Sequence, residues 1–298
     1  MNAVWAAFQN GPAVDRFPTT GDGNQTGSSA PPPSASASFP SEPGAYIGIA
    51  GLAAGPDGTM WELETDDAIG GGRNWRLVTV PPPGAAPSNA PAYDGDGRPL
   101  EVGLGPNGVL VESASQSGTL SIRTYPYGAV DPPATRTFMP TSDVPYFGFA
   151  VAPDGSIYIP RTNGFDVYAA SGTLRTTIVT DHPPTPYPGL FVIGADGSLY
   201  SAELVNYLKS GSGTSTMFVN VYGPGSGTAA RRIGPLPVTN DPLGRPPVIA
   251  VGPDNDLYVA TNGSIYVFDA GANGNCMPEH LMTYPASYGF VSALAIGP

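Results

Sequence analysis

The chain has 298 residues, 41% of them hydrophobic, and a formal charge of −12 with only 12% charged residues. Such acidity excludes nucleic acid and anionic membrane surfaces as partners, because neither offers cations to pair with, and no apolar run approaches the roughly 18 residues of a membrane-spanning helix. Cys276 is the only cysteine, which excludes an internal disulfide and any paired-cysteine metal site.

Glycine (40) and proline (36) make up about a quarter of the chain and recur between apolar runs, the pattern of an all-β protein rather than of low complexity. The N-terminal stretch "NAVWAAFQNGPAVDRFPTTG" has neither the basic start nor the apolar run of a secretory signal. It is similar to a later stretch, "NGSIYVFDAGANGNCMPEHLMTYPAS", with Phe8 on Phe268, Gly11 on Gly271 and Phe17-Pro18 on Tyr284-Pro285. The expectation is that the chain opens on the third and fourth strands, c and d, of a four-stranded unit. Residues 20–44 and 81–97 are rich in Pro, Ala and Ser and read as excursions between units, the second interrupting an outer strand.

From residue 52 onward one phrase recurs: "GLAAGPDGTMW", "EVGLGPNGVLV", "GFAVAPDGSIY", "LFVIGADGSLY", "VIAVGPDNDLY" and, at the end, "SALAIGP". Its anchors, Gly55, Gly105, Ala152, Gly194, Gly252 and Gly297, are 50, 47, 42, 58 and 45 residues apart. Periods of about 40–50 residues with several short strands belong to β-propeller blades. Before each anchor, larger apolar residues (Leu52, Val102, Phe149, Phe191, Ile249, Leu294) alternate with mostly very small ones (Ala53, Gly103, Ala150, Val192, Ala250, Ala295), marking an innermost strand a buried on both faces. Asp-Gly or Asn-Gly then supplies a tight turn, so those acids serve the turn rather than chemistry. Strand b opens on an apolar–aromatic pair: Met60-Trp61, Ile157-Tyr158, Leu199-Tyr200, Leu257-Tyr258, with Leu110-Val111 as the plain variant.

The sixth copy stops at Pro298, after strand a. Residues 1–298 therefore read as one all-β domain, a β-propeller of four-stranded antiparallel blades with five complete blades and partial blades at the termini. The chain is expected to be a fragment of a propeller with up to seven blades. The alternative is that its ends meet in a sixth blade lacking strand b, which would leave backbone unpaired on strands a and c.

The block "IAVGPDNDLYVATNGSIYVFDAGANGN" resembles the NHL-type repeat of bacterial extracytoplasmic propellers, and "GPDGTMWELE" is similar to the motif of streptogramin-lyase-like and gluconolactonase-like propellers. The resemblance spans most of the chain outside the two excursions, and it implies an extracytoplasmic location, as the lysine-poor composition also suggests. It further implies a ligand face at the b–c and d–a loops. At the exit of strand b, six residues beyond the turn glycine or Asn255, lie Glu64, Ala114, Arg161, Glu203 and Thr261, and Glu101 opens the second strand a nearby. Glu64, Glu101 and Glu203 with Arg161 could hold a polar ligand or a metal; the plainer alternative is solvated strand ends, and for the cluster Glu62, Glu64, Asp66 and Asp67 a hydrated loop rather than a calcium site. Lyase-like propellers pair two histidines with a glutamate. Here His182 lies on a d–a loop within reach of Glu203, while His280 opens an outer strand, so a catalytic set would be Glu64, Glu203 and His182.

No cofactor is implied by any motif, and calcium is the one ion that acidic stretches such as "YDGDGRPLE" would suit. Asn24-Gln25-Thr26 and Asn262-Gly263-Ser264 fit the glycosylation sequon. The expected function is an extracytoplasmic binding or scaffold module for a protein, glycan or small molecule, without membrane insertion. The alternative is a metal-assisted lyase or lactonase using Glu64, Glu203, Glu101 and His182.

Overall fold

A computed structural model describes residues 3–8, 13–18, 35–38, 46–55, 57–67, 73–80, 91–96, 98–114, 119–127, 134–140, 148–185, 187–206, 214–239, 246–261, 263–284 and 289–297. These residues form six antiparallel sheets of four strands each. Blade 1 combines β1 (Ala3–Phe8), β2 (Ala13–Pro18) and β3 (Ala35–Ser38) with the last strand, β24 (Val291–Gly297). Blade 2 is β4 (Tyr46–Ala54), β5 (Met60–Asp67), β6 (Arg73–Val80) and β7 (Pro91–Asp96); blade 3 is β8 (Arg98–Gly105), β9 (Gly108–Ala114), β10 (Leu120–Tyr125) and β11 (Arg136–Phe138). Blade 4 is β12 (Ala150–Val151), β13 (Ile157–Arg161), β14 (Gly164–Tyr168) and β15 (Leu174–Val179). Blade 5 is β16 (Phe191–Ile193), β17 (Leu199–Val205), β18 (Thr214–Tyr222) and β19 (Ala229–Thr239), and blade 6 is β20 (Val248–Val251), β21 (Leu257–Thr261), β22 (Ser264–Phe268) and β23 (His280–Thr283).

The inner strands β24, β4, β8, β12, β16 and β20 each contact the next, and β20 contacts β24, so the ring closes at six. The chain is a six-bladed β-propeller. No helix among the described residues is long and apolar enough to cross a membrane.

The first blade departs from the expected assignment. β1 is strand b, not c, and pairs directly with β24 from Ala3↔Gly297 to Ala7↔Ala293, so strand b is present and neither a nor c is left unpaired. Val4-Trp5 faces Ile296-Ala295, just as Leu257-Tyr258 faces Val251-Ala250 in blade 6. The matched Phe8 thus ends a strand b instead of a strand c. Both excursions also contribute outer strands: 35–38 form β3 and 91–96 form β7. The "YDGDG" acids Asp94 and Asp96 stand opposite Arg76 and Asn74 in the β6–β7 register, in a strand and not in a calcium-type loop. The remainder of both excursions, and Asn24 and Asn262 of the sequons, lie outside the described residues.

Turn chemistry follows expectation. Asp57 Oδ1 accepts the Thr59 N–H and Oδ2 the Thr59 hydroxyl, both at 2.9 Å, and Asp154 and Asp196 do the same for Ser156 and Ser198. The amide bonds hold the Asp57 and Asp154 carboxyls below the usual carboxylate range. Asn255 (φ 67°) occupies the left-handed position filled by Gly58, Gly155 and Gly197 elsewhere. The second copy, in blade 3, is tighter: Gly105 pairs with Gly108, so the equivalent of Leu257-Tyr258 is Val109-Leu110, one residue earlier than expected.

Small residues on strand a let the blades converge. A Cβ on Gly103 would lie 2.7 Å from the Phe149 ring of the next blade. The core lies between neighbouring blades, for example where Trp61 and Leu63 of blade 2 meet Val102, Val109 and Val111 of blade 3. Tyr284, after β23, locks a hairpin of blade 6. Its hydroxyl accepts the Gly263 N–H at 2.9 Å and donates to the Thr261 carbonyl, and burial pushes its ionisation up to about 12. Tyr284→Phe should orphan both groups and cost about 2 kcal/mol, read as a lower urea midpoint with an unchanged slope.

Candidate functional site

In these antiparallel blades the a–b turns lie at one end of the ring and the b–c and d–a loops at the other. The connection from blade 4 to blade 5, "TDHPPTPYPGL" (180–190), runs across that second end. Its four prolines restrict the backbone, and its described residues are pinned to both blades. Thr180 donates from N (2.9 Å) and Oγ1 (3.4 Å) to the Asn163 carbonyl of the blade 4 hairpin. The His182 carbonyl accepts the hydroxyls of Thr180 (2.9 Å) and Tyr222 (3.1 Å). Asp181 accepts the Ala229 N–H at 3.1 and 3.2 Å, and Thr185 Oγ1 accepts the Leu204 N–H at 3.1 Å.

This anchoring sets His182 against Glu203 of β17, with Nδ1 3.4 Å from Oε2. The same oxygen receives Arg232 Nη2 at 3.0 Å and Asn220 Nδ2 at 3.3 Å. The Arg232 guanidinium also lies 3.7 Å from the Phe218 ring centroid, a cation–π contact. Side-chain exposures of 32%, 23% and 37% for His182, Glu203 and Arg232 leave the cluster reachable from solvent. The His182 ring thus stands within ion-pair distance of Glu203 through Nδ1, without a hydrogen bond between the two.

The other anticipated residues divide. Glu101 on β8 reaches the connection: Oε1 accepts the Val102 N–H at 3.2 Å and Oε2 the Gly189 N–H at 3.0 Å. Burial pushes its carboxyl up to about 8. Arg161 sits 3.3 Å from Asp166, whose Oδ1 also accepts the Thr177 hydroxyl at 2.6 Å. Thus Glu101, the Arg161 hairpin, His182 and Glu203 all meet one connection. Glu64 does not join them. It is buried within β5 beside Ile49 and Arg76 in register, and Glu62 is buried too, so neither is a solvated strand end or part of a hydrated loop. The tighter turn of blade 3 also puts Ser113, not Ala114, at its strand b exit.

Sequence reading missed three members. Arg232 belongs to the only adjacent pair of cations in the chain, Arg231-Arg232, which was a usable signal. Asn220 carried none. Glu112, the register partner of Glu101, interrupts the apolar run "GVLVES" and is fully buried. Neither of its oxygens has a hydrogen-bond partner among the described residues, and burial, then the charge of Glu101, raise its carboxyl well above the usual range.

A lactonase-type metal would need several oxygen donors converging near the axis. Among the described residues no three His, Cys, Asp or Glu converge in this way, and both Glu101 oxygens face amide donors, so these residues do not fit such a centre. At the opposite end of the ring, a cleft of about 210 Å³ between blades 3 and 4 is lined by Asn107, Thr124, Arg136 and turn glycines.

No family model and no curated protein matches the chain. Among solved structures it is similar to a protein of unknown function from Bacteroides caccae, with a TM-score of 0.56, 10% identity, and coverage of 99% of this chain and 98% of that one. It is also similar to virginiamycin B lyase from Staphylococcus aureus (TM-score 0.37, 15% identity, 76% and 68% coverage) and a gluconolactonase from Xanthomonas campestris (0.40, 16%, 65% and 63%). The class, a β-propeller, is defined by the ring of six four-stranded sheets, and the likeness to the Bacteroides caccae protein goes no further than the fold.

Proposed function

We propose that the protein is an extracytoplasmic propeller that binds a polar ligand (a glycan, a small molecule or a segment of another protein) at the end of the ring carrying the 180–190 connection. The observation that supports this most is the solvent-reachable cluster of His182, Glu203 and Arg232 beside the 180–190 connection. Arg232 and His182 supply donors, Glu203 an acceptor, and Phe218 an aromatic edge, a combination suited to hydroxyl- or carboxylate-bearing ligands. The low lysine content with abundant Gly, Pro, Ser and Thr supports a location outside the cytoplasm.

The contact between His182 and Glu203 favours a second reading, acid–base catalysis of the lyase or lactonase type. Against it, His280 opens the outermost strand β23, 3.8 Å from Glu279, so no second imidazole joins His182. Glu203 Oε2 is already committed to Arg232 and Asn220.

A thermal-shift and calorimetric screen of mono- and disaccharides, dicarboxylates and lactones tests both readings. A ligand of this cluster should bind at least about tenfold more weakly to Arg232→Ala, a loss of about 1.4 kcal/mol, and normally to Arg136→Ala at the opposite end. Ligands all insensitive to Arg232→Ala overturn the assignment, whereas turnover abolished by His182→Ala supports the enzyme instead.

A further inference from the structure

Blade 3 alone lacks the aromatic residue near the start of strand b, and a cleft stands where that ring would lie. The position is Trp5, Trp61, Tyr158, Tyr200 and Tyr258 in the other five blades; by register its equivalent in blade 3 is Leu110. Blade 5 shows what the ring does. Tyr200 reaches the a–b turn of blade 6, where its hydroxyl donates to the Asn255 carbonyl at 3.2 Å and meets the Arg231 side chain. Leu110 is too short for the matching turn of blade 4. Gly155, the counterpart of Asn255, is therefore left lining the cleft of about 210 Å³ between blades 3 and 4.

The neighbours of Leu110 equip that space. Leu110, Thr124 and Arg136 form one cross-strand row, and it faces blade 4, since Leu110 clusters with Phe149, Ile157 and Tyr168. Blades 4, 5 and 6 place Val167, Val221 and Val267 at the Thr124 position. Thr124 is only 8% exposed. Its carbonyl is engaged by Thr135, but its hydroxyl has no hydrogen-bond partner among the described residues. Arg136 corresponds to Arg231, the partner of Val221, and each donates Nη1 at 3.1 Å to a carbonyl of the next blade, Ala170 and Ala272. Arg231 also has Tyr200 beside it, whereas the remaining N–H groups of Arg136 have no partner among the described residues. Among those residues no acid lines the cleft, and Asp154, next to Gly155, is engaged by Ser156 and Arg175.

We propose that this cleft is a binding site for a small aromatic carboxylate, its ring in the place left by the missing tyrosine and its carboxylate at Arg136 and the Thr124 hydroxyl. The ring has room, since a cavity of about 150 Å³ is enough for benzene, and Leu110, Val151 and Pro106 give it apolar walls. The guanidinium offers the paired N–H geometry that a carboxylate accepts, and a bound acceptor satisfies the buried hydroxyl of Thr124. In a chain of net charge −12, an arginine beside an apolar space without an acid is the feature that selects an anion. The site lies at the far end of the ring from His182 and Glu203 and is independent of what binds there.

Titration of benzoate, followed by NMR of the backbone amides, tests this. Benzoate should shift the amides of Asn107, Gly108 and Ala170 and bind at least about tenfold more tightly than benzamide, its neutral counterpart. Arg136→Gln should weaken binding about tenfold and Thr124→Val about fivefold, while Arg232→Ala leaves it unchanged. Leu110→Tyr restores the ring that blades 4, 5 and 6 carry, and should abolish binding in a chain that still folds. Absence of binding to the natural chain, or unaltered binding to Leu110→Tyr, overturns the proposal. So does benzamide binding as tightly as benzoate with no effect of Arg136→Gln, which would leave an apolar cavity without anion recognition. Loss of binding in Arg232→Ala also overturns it, by placing the ligand at the other end of the ring. Should Leu110→Tyr fail to fold, the Arg136 and Thr124 variants decide alone.

Discussion

Replacing Gly164 with alanine is expected to cost about 3 kcal/mol. Gly164 begins β14 at φ 153°, where a Cβ would lie 1.9 Å from the carbonyl oxygen of Ile178 and 3.1 Å from the amide of Thr180. The obstacle is backbone of the paired strand, so no rotamer change relieves it; β14 and β15 would have to separate at their first pair, Gly164↔Val179. The damage should spread to the site, because Thr180 carries the bonds to Asn163 and His182. Urea denaturation should show the loss, and the amides of 180–182 should lose protection first. Gly223→Ala, with nothing within 4 Å of the new methyl, serves as the comparison and should change the midpoint little. Equal midpoints for the two variants would show that the hairpin yields more easily than its geometry implies.

What could be read from the sequence divides along a physical line. Strands a and b and the turn between them recur in blades 2, 4, 5 and 6, and in blade 3 with a tighter turn and no aromatic, because converging at the axis imposes small residues and a tight turn at fixed places. Those positions repeat visibly. The signal for the closing blade was present as well: Val4-Trp5 is a fifth apolar–aromatic pair. Matching Phe8 to Phe268 by spacing outweighed it, since the turn that normally announces strand b lies across the two ends of the chain. Outer strands have no such constraint. β3 and β7 face solvent on one edge and tolerate Ala, Ser, Pro and Gly, so composition hid them inside apparent excursions.

The site follows the same division. Glu203 and His182 were legible from a repeat position and a loop position, and the structure joins them. Arg232 sits in a strand d, outside the repeated core, and could be placed beside Glu203 only once the blade 5 register was known. Glu64 shows the converse limit. It occupies the same repeat position as Glu203, yet it is buried between strands while Glu203 is reachable from solvent, because a repeat position fixes the height along a blade and not what the neighbouring blade presents.

The pH dependence of stability follows from the carboxyl pair of blade 3, Glu101 and Glu112. Two carboxyls whose ionisation is pushed up by burial make the folded state the better proton acceptor above the unfolded carboxylate range. Their contribution is fully present below about pH 4.5 and declines as pH rises, by about 1.4 kcal/mol per unit for each group. For Glu101 the decline ends near pH 8, and the raised carboxyl of Glu112 acts in the same sense. The turn acids Asp57 and Asp154 act in the opposite sense, since their lowered carboxyls lend stability that is lost as pH falls through the acid range. Maximum stability is therefore expected near pH 5, with a decline towards pH 8. Glu112→Leu separates this account from general charge repulsion in a chain of net charge −12. It removes a fully buried carboxyl whose oxygens have no hydrogen-bond partner among the described residues, and should raise stability by about 2 kcal/mol at pH 5 and by more at pH 8. An exposed substitution of the same charge, Glu279→Gln, should alter neither value appreciably. If Glu112→Leu instead destabilises the protein equally at both pH values, the carboxyl is packed by partners that favour it, and the alkaline decline must come from elsewhere.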